Sequence, residues 1–294
     1  MKVSTFKSDF ILVFVATIWG LAFVAQRIGM DHMGPFTFTG LRFVLGCLSL
    51  LPIIFLTKNR PSGKNRDGLL KSGIISGVIL FFAMSFQQVG LVYTTAGKAG
   101  FITGLYVVIV PFLSLFFKQD KTSFGTWIGA IFAIVGMYLL SVTRNQDINF
   151  GDLLVLFSAV GFAFHLIVIG RFSNRFNTAQ LSLVQCMVCA GLSLLVAVIF
   201  ETFILADILN ASIPLLYGGV LSVGVAYSLQ IYGQKNSPAP HAAIIFSLES
   251  VIAAIGGWII LNEILSGRAI FGCTLMMAGI LISQLVTKKR HLIP

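Results

Sequence analysis

The chain has 294 residues, 57% of them apolar and only 10% charged, against roughly 25% charged in a soluble domain. That balance excludes a soluble enzyme or binding module and reads as a membrane protein whose first partner is the lipid bilayer. The formal charge of +10 suggests nucleic acid, but the cations are distributed as topology signals and not as a polyanion site.

In chain order, apolar stretches long enough to cross ~30 Å of hydrocarbon lie at about 10–29, 35–56, 72–91, 95–117, 124–142, 153–172, 178–200, 213–234, 240–261 and 269–286. The spacing predicts an all-α membrane protein of ten transmembrane helices. Lys2 and Lys7 precede the first stretch as in a secretory signal, but the run is long and no A-x-A site follows, so it reads as the first span. With the N-terminus placed in the cytoplasm, fifteen of the twenty cations share its side, among them Lys58, Arg60, Lys64, Lys118, Lys121, Arg171, Lys235 and Lys288, while Arg144 and Arg268 lie opposite. Both termini are therefore expected to be cytoplasmic. The longest polar connection, 57–71, is too short for a folded catalytic domain, so any function must lie within the bundle.

The first span places Trp19, Phe23 and Gln26 on one stripe, and the eighth does the same with Tyr227 and Gln230. Such a face suits either a water-filled cavity for amphipathic solutes or polar bridges between helices, worth about 0.6 kcal/mol each. Arg42, two turns into the second span, is expected to bond carbonyls or a carboxylate of another helix, as intramembrane cations usually do, with a direct substrate contact the lesser alternative. In the fourth span Lys98 either snorkels outward or turns inward to a substrate carboxylate, and Pro111, unable to donate to the carbonyl of Val107, is expected to bend the helix as a hinge. His165 of the sixth span stands near mid-membrane, where it either relays protons or hydrogen-bonds a neighbour. Cys186 and Cys189 form a C-x-x-C that reads as buried apolar packing, since no further ligands stand nearby. Glycines at 73 and 77, 100 and 104, and 125 and 129 have the small-xxx-small spacing of close helix approach. No metal or cofactor is called for.

Glu249 is the one acid deep in a span, about 13 Å beyond Pro240 at 1.5 Å per residue. A carboxylate there costs roughly 2.5 to 3.5 kcal/mol. It is expected either to form a fixed ion pair with Arg42 or Lys98, or to face the cavity and meet a cationic substrate group or a proton.

Sliding the chain against itself by 143 residues aligns 83–141 with 226–284 without a gap, and thirteen of the 59 pairs are identical, Gln87/Gln230 among them. The same offset pairs Tyr106 with Glu249, Lys98 with His241, Asp9 with Asp152, Asp120 with Glu263 and Arg42 with Gln185. Five spans per half is an odd number, so the second copy must enter the membrane from the other side. This predicts two inverted five-helix repeats, residues 1–143 and 144–294, an architecture of secondary transporters with the substrate near the midplane.

ATIWGLAFVAQ, LRFVLG, TTAGKAGFITGLYVVIVPFLSLFF and SLESVIAAIGGWIILNEILSGRAIFGCTLMMAGILI resemble the EamA-type family of drug/metabolite transporters over essentially the whole chain. In that family the stretch around Glu249 commonly reads L-E-P, and here Ser250 replaces the proline. The resemblance implies export or exchange of small metabolites across a cell membrane, cytoplasmic or inner, with the fourth helix lining a central cavity. Together these readings give a secondary transporter of small polar or amphipathic metabolites such as amino acids, working by alternating access and open to proton coupling. Its expected substrate-binding residues are Trp19, Phe23, Gln26, Gln87, Lys98, Tyr106, His165, Tyr227, Gln230 and Glu249. A channel or lipid scramblase is the alternative; an intramembrane enzyme is less favoured, because no H-E-x-x-H, G-x-S-x-G or paired intramembrane aspartates occur.

Overall fold

The computed structural model describes residues 5–56, 63–117, 124–141, 149–264 and 266–290, and those residues form helices and the short connections between them. The principal rods are α1 (Thr5–Gly29), α2 (Pro35–Leu56), α3 (Gly63–Tyr93), α4 (Ala96–Phe116), α5 (Phe124–Ser141), α6 (Phe150–Phe172), α7 (Thr178–Phe200), α8 (Ser212–Gln234), α9 (Ala239–Leu261) and α10 (Gly267–Arg290). A short helix, Leu205–Asn210, leads into α8. Among the described residues eight rods are long and apolar enough to cross a bilayer; α5 and α10 contribute the shorter apolar runs Phe124–Gly136 and Gly267–Ile282. The chain is a multi-pass membrane protein. Asp120, Lys118, Lys121 and Arg144, used above to set repeat and topology, lie outside the described residues.

Helix packing follows the 143-residue offset. The rod α1 packs on α9 and α8, and its counterpart α6 packs on α4 and α3; α2 lies against α8, and its counterpart α7 against α3. The partners α2 and α7, and likewise α5 and α10, pack on each other, which places both pairs on the axis relating the halves. Each half therefore completes its core with helices of the other. Glycines permit the approach of α5 and α10: a Cβ on Gly136 would come within 2.5 Å of the Gly272 carbonyl oxygen, and one on its counterpart Gly279 within 2.8 Å of the Gly129 carbonyl oxygen. Gly73 and Gly77 likewise admit Val184 and Val188 of α7 against α3. Cys186 and Cys189 are buried beside Phe43, Leu80 and Met84.

The most enclosed rod is α9, whose apolar window is 67% buried, while α7 at 33% presents most of its surface outward, including Leu195, Val198, Ile199 and Phe200. With lipid as the outer solvent, exposed apolar residues are the expected covering and the interior holds the polar ones. Acids close helix starts: Glu201 accepts from the backbone N–H of Phe36 and Thr37 at α2, and Glu263 from those of Ala96 and Gly97 at α4, where a helix N-terminus favours negative charge.

Both α4 and α9 are broken near their middles. The first divides into Ala96–Gly104 and Tyr106–Phe116 at Leu105, the second into Ala239–Phe246 and Leu248–Leu261 at Ser247. The break in α4 lies at Leu105, and Pro111 sits inside the segment that follows. Because α9 breaks at an equivalent place without a proline, Pro111 is not the common cause. In α9 Ser247 Oγ donates to the Ile244 carbonyl at 2.7 Å, a local bond that competes with the helical ladder; in α4 the corresponding residue is Gly104, a poor helix former. A third irregularity is in α8, which widens into a π-helix over Tyr217–Ala226, a rare form that often marks functional sites.

Candidate functional site

The two breaks put Tyr106 and Glu249 in the first turns of new helical segments. There Tyr106 Oη donates to Glu249 Oε1 at 2.8 Å. The two residues are 143 apart, so the bond joins repeat equivalents across the axis relating the halves. Glu249 is 3% exposed, and it stands in the first turn of the second segment of α9. The expected ion pair with Arg42 or Lys98 is not formed: among the described residues no ion pair includes Glu249.

Around this bond lies a central cavity lined from seven helices. Trp19, Phe23 and Gln26 come from α1, Gln87 from α3, Tyr106 from α4, His165 from α6, Tyr227 and Gln230 from α8 and Glu249 from α9. Nine of the ten residues singled out in the sequence thus line one space. Aromatic rings make one wall: Trp19 lies 5.1 Å from Tyr227 and 5.2 Å from Phe246 between ring centroids, and Tyr227 stands edge-on to His165 at 6.0 Å. The widened turn of α8 holds that wall in place, because Trp19 Nε1 donates to the Ser222 carbonyl at 3.2 Å and Tyr217 Oη to that of Ile18 at 3.0 Å. Amides supply the polar face. Gln87 Nε2 donates to Thr103 Oγ1 at 3.1 Å and Gln26 Nε2 to the Ala22 carbonyl at 3.0 Å, while Gln26 Oε1 and Gln230 Oε1 have no hydrogen-bond partner among the described residues. His165 Nε2 lies 3.0 Å from Gln185 Oε1 of α7, the neighbour contact that the sequence left open.

Lys98 is the tenth residue, and it is elsewhere. Its Nζ is 2.6 Å from Asp152 Oδ2 of α6, in a cluster where Thr94 Oγ1 and the Asn149 backbone N–H also donate to that carboxylate. The repeat equivalent of this contact is present too: His241 Nε2 of α9 lies 3.1 Å from Asp9 Oδ1 of α1. Lys98 precedes Tyr106 by eight residues, and His241 precedes Glu249 by the same number.

The cavity also holds residues that sequence reasoning passes over. Thr103, Phe162 and Phe246 line it. They stand three residues before Tyr106, His165 and Glu249, and helical spacing alone puts i and i+3 on one face. Met84 lines it as well, and so does Arg42, which the sequence singled out without counting it among the substrate-binding residues. Of the two expectations for Arg42, the bond to a carboxylate or carbonyl is not formed among the described residues; its Nη2 meets Met84 Sδ at 2.7 Å.

Comparison with known proteins gives one consistent relationship. The family model of the EamA-like transporter family matches residues 6–142 and again residues 149–285. An uncharacterized transporter of Archaeoglobus fulgidus is 34% identical over 278 residues, covering 95% of this chain and 86% of its own. The uncharacterized transporter YoaV of Bacillus subtilis is 23% identical over 285 residues, covering 95% and 97%. A solved crystal structure superposes with a TM-score of 0.78 at 18% identity over 96% of this chain and 98% of that one, a likeness of fold.

Proposed function

Since the chain belongs to the EamA-like transporter family, we propose that it is a secondary transporter of small polar or amphipathic metabolites, with amino acids and related compounds the leading class. In this reading all ten rods cross the cell membrane, the repeats of residues 1–143 and 144–294 are inverted, both termini are cytoplasmic, and the protein exports or exchanges solute by alternating access.

One observation carries the reading: the cavity is flanked by two repeat-equivalent contacts, Lys98 with Asp152 and His241 with Asp9, each joining a helix of one half to a helix of the other. In antiparallel α4 and α9 each contact lies eight residues, about 12 Å at 1.5 Å per residue, from the Tyr106–Glu249 bond, and on opposite sides of it. Opening one contact admits solute from one face while the other keeps the far face shut. Inverted halves make the two open states comparable in energy, as alternating access requires. Buried polar contacts at both ends favour a carrier over a channel, which needs one continuous path.

Within the cavity the aromatic wall takes the apolar part of the solute and the amides its polar part. Glu249 meets a cationic group of the solute or a proton, and the breaks in α4 and α9 make those helices the moving pair. Purified protein in liposomes tests the proposal: saturable flux with counterflow is expected, whereas non-saturating flux would identify a channel and chemical conversion an enzyme. Glu249→Gln should fold and insert normally and lose transport or its pH dependence. Wild-type flux with an unchanged pH profile would remove Glu249 from the mechanism.

A further inference from the structure

Arg42 is 1% exposed and lines the central cavity, yet none of the ion pairs among the described residues includes it. A buried guanidinium carries five N–H donors and cannot shed its charge. Here Nη2 is given to a thioether, a weak acceptor, and Nε has no partner among the described residues. Phe38 and Phe43 flank the group at 5.7 and 5.5 Å from their ring centroids. Such stacking lowers the cost of a desolvated cation. It does not replace an anion, since the burial penalty of an unpaired ion exceeds what stacking returns.

The repeat sharpens the point. Gln185, the equivalent of Arg42, meets His165 at 3.0 Å. The equivalent of His165 is Ala22, which also lines the cavity and has no side-chain hydrogen-bonding group. The second half thus gives its polar residue one partner from within, the side-chain carbonyl of Gln185 meeting His165 while Gln185 Nε2 has none among the described residues; the first half has a cation at the matching position and only a methyl group where that partner would stand.

We propose that Arg42 is the anion-binding residue of the cavity and that the transported solute carries a carboxylate, which the planar guanidinium grips. This rests on the transporter reading above and deepens it. A single buried cation suits a monoanionic carboxylate better than a phosphate dianion. With Glu249 on the same cavity, a solute bearing both a carboxylate and an ammonium finds an opposite charge for each group.

The test uses purified full-length protein and three matched pairs of probes: leucine, methionine and phenylalanine, each against its own amide. A ligand that binds only the folded state raises the apparent melting temperature, and Trp19 on the cavity wall gives a second, fluorescence readout. At least one acid is expected to bind wild type tenfold or more tightly than its amide. Arg42→Met should melt at or above the wild-type temperature, as replacement of a buried charge by an apolar residue often does, and should bind acid and amide alike. If Arg42→Met fails to fold, Arg42→Lys decides: it should weaken the acid tenfold and leave the amide unchanged, whereas a merely structural role would weaken both equally. Equal binding of acids and amides by wild type, absence of binding by every acid, or an acid preference retained in Arg42→Met each overturn the proposal. Acid-selective binding without counterflow in liposomes would uphold Arg42 as the anion site and refute the transporter reading instead.

Discussion

Lys98 with Asp152 and His241 with Asp9 occupy equivalent places in the two halves, but they are chemically unlike. Asp152 is drawn into a tight set, 2.6 Å from Lys98 Nζ and accepting from Thr94 Oγ1 and the Asn149 N–H, and it completes a capping box at the start of α6. Asp9 meets an imidazole at 3.1 Å. A lysine–aspartate contact is an ion pair throughout the neutral range; a histidine–aspartate contact is one only while the imidazole is protonated. The repeat thus holds two contacts at equivalent positions, made unequal by Lys98 against His241 and by the further partners of Asp152. On the proposed reading of alternating access, that inequality would bias the resting state toward closure at the Lys98 end.

The comparison fails altogether if the two contacts do not face opposite sides of the membrane. Single cysteines at Ser62 and Asn145, both outside the described residues, should label all-or-none from opposite sides; labelling of both from one side would collapse the argument. Next in size is Asp152→Asn, which leaves the half-buried Lys98 without its carboxylate and weakens the capping box. A loss of about 3 kcal/mol is expected, seen as a lower denaturation midpoint, and a variant within about 1 kcal/mol of wild type would make the two ends equal in strength. Third, His241→Lys should make the ends alike. The variant puts a lysine against Asp9 as at the other end, so on the transporter reading flux in liposomes should slow several-fold, and flux at the wild-type rate would dismiss His241 as the source of the asymmetry. The smallest effect is expected for Asp9→Asn: a neutral imidazole can still hydrogen-bond the amide, so the loss should be about 1 kcal/mol, and a drop as large as that of Asp152→Asn would contradict the comparison.

Much of the cavity is legible in the amino-acid sequence. Trp19, Phe23 and Gln26, or Tyr227 and Gln230, stand out because an apolar span tolerates polar and aromatic groups chiefly on its inward face, and helical spacing collects them on one stripe. The helix breaks are less legible. Pro111 carries an obvious signal but lies six residues beyond the discontinuity at Leu105, whereas the serine that accompanies the break in α9 has many equally plausible places in a helix. Lys98 illustrates the limit for charged groups. Its spacing allows water, substrate or a neighbour, and the outcome depends on α4 lying against α6, a contact between halves that no local pattern specifies.

By itself the sequence determined the class of the molecule, its membrane rods and the duplication at 143 residues, because bilayer thickness and helical rise convert apolar run length directly into architecture. It also established that Tyr106 and Glu249, or Asp9 and Asp152, are equivalent positions. Tertiary structure alone decided which equivalents touch: Tyr106 meets its own counterpart, while Lys98 reaches past its counterpart to the equivalent of Asp9, and Arg42 is left facing the cavity without a carboxylate. The physical reason is that equivalence in the chain constrains orientation but not distance. Only a side chain near the axis meets its own copy, and the rest pair according to how the helices of the two halves interleave.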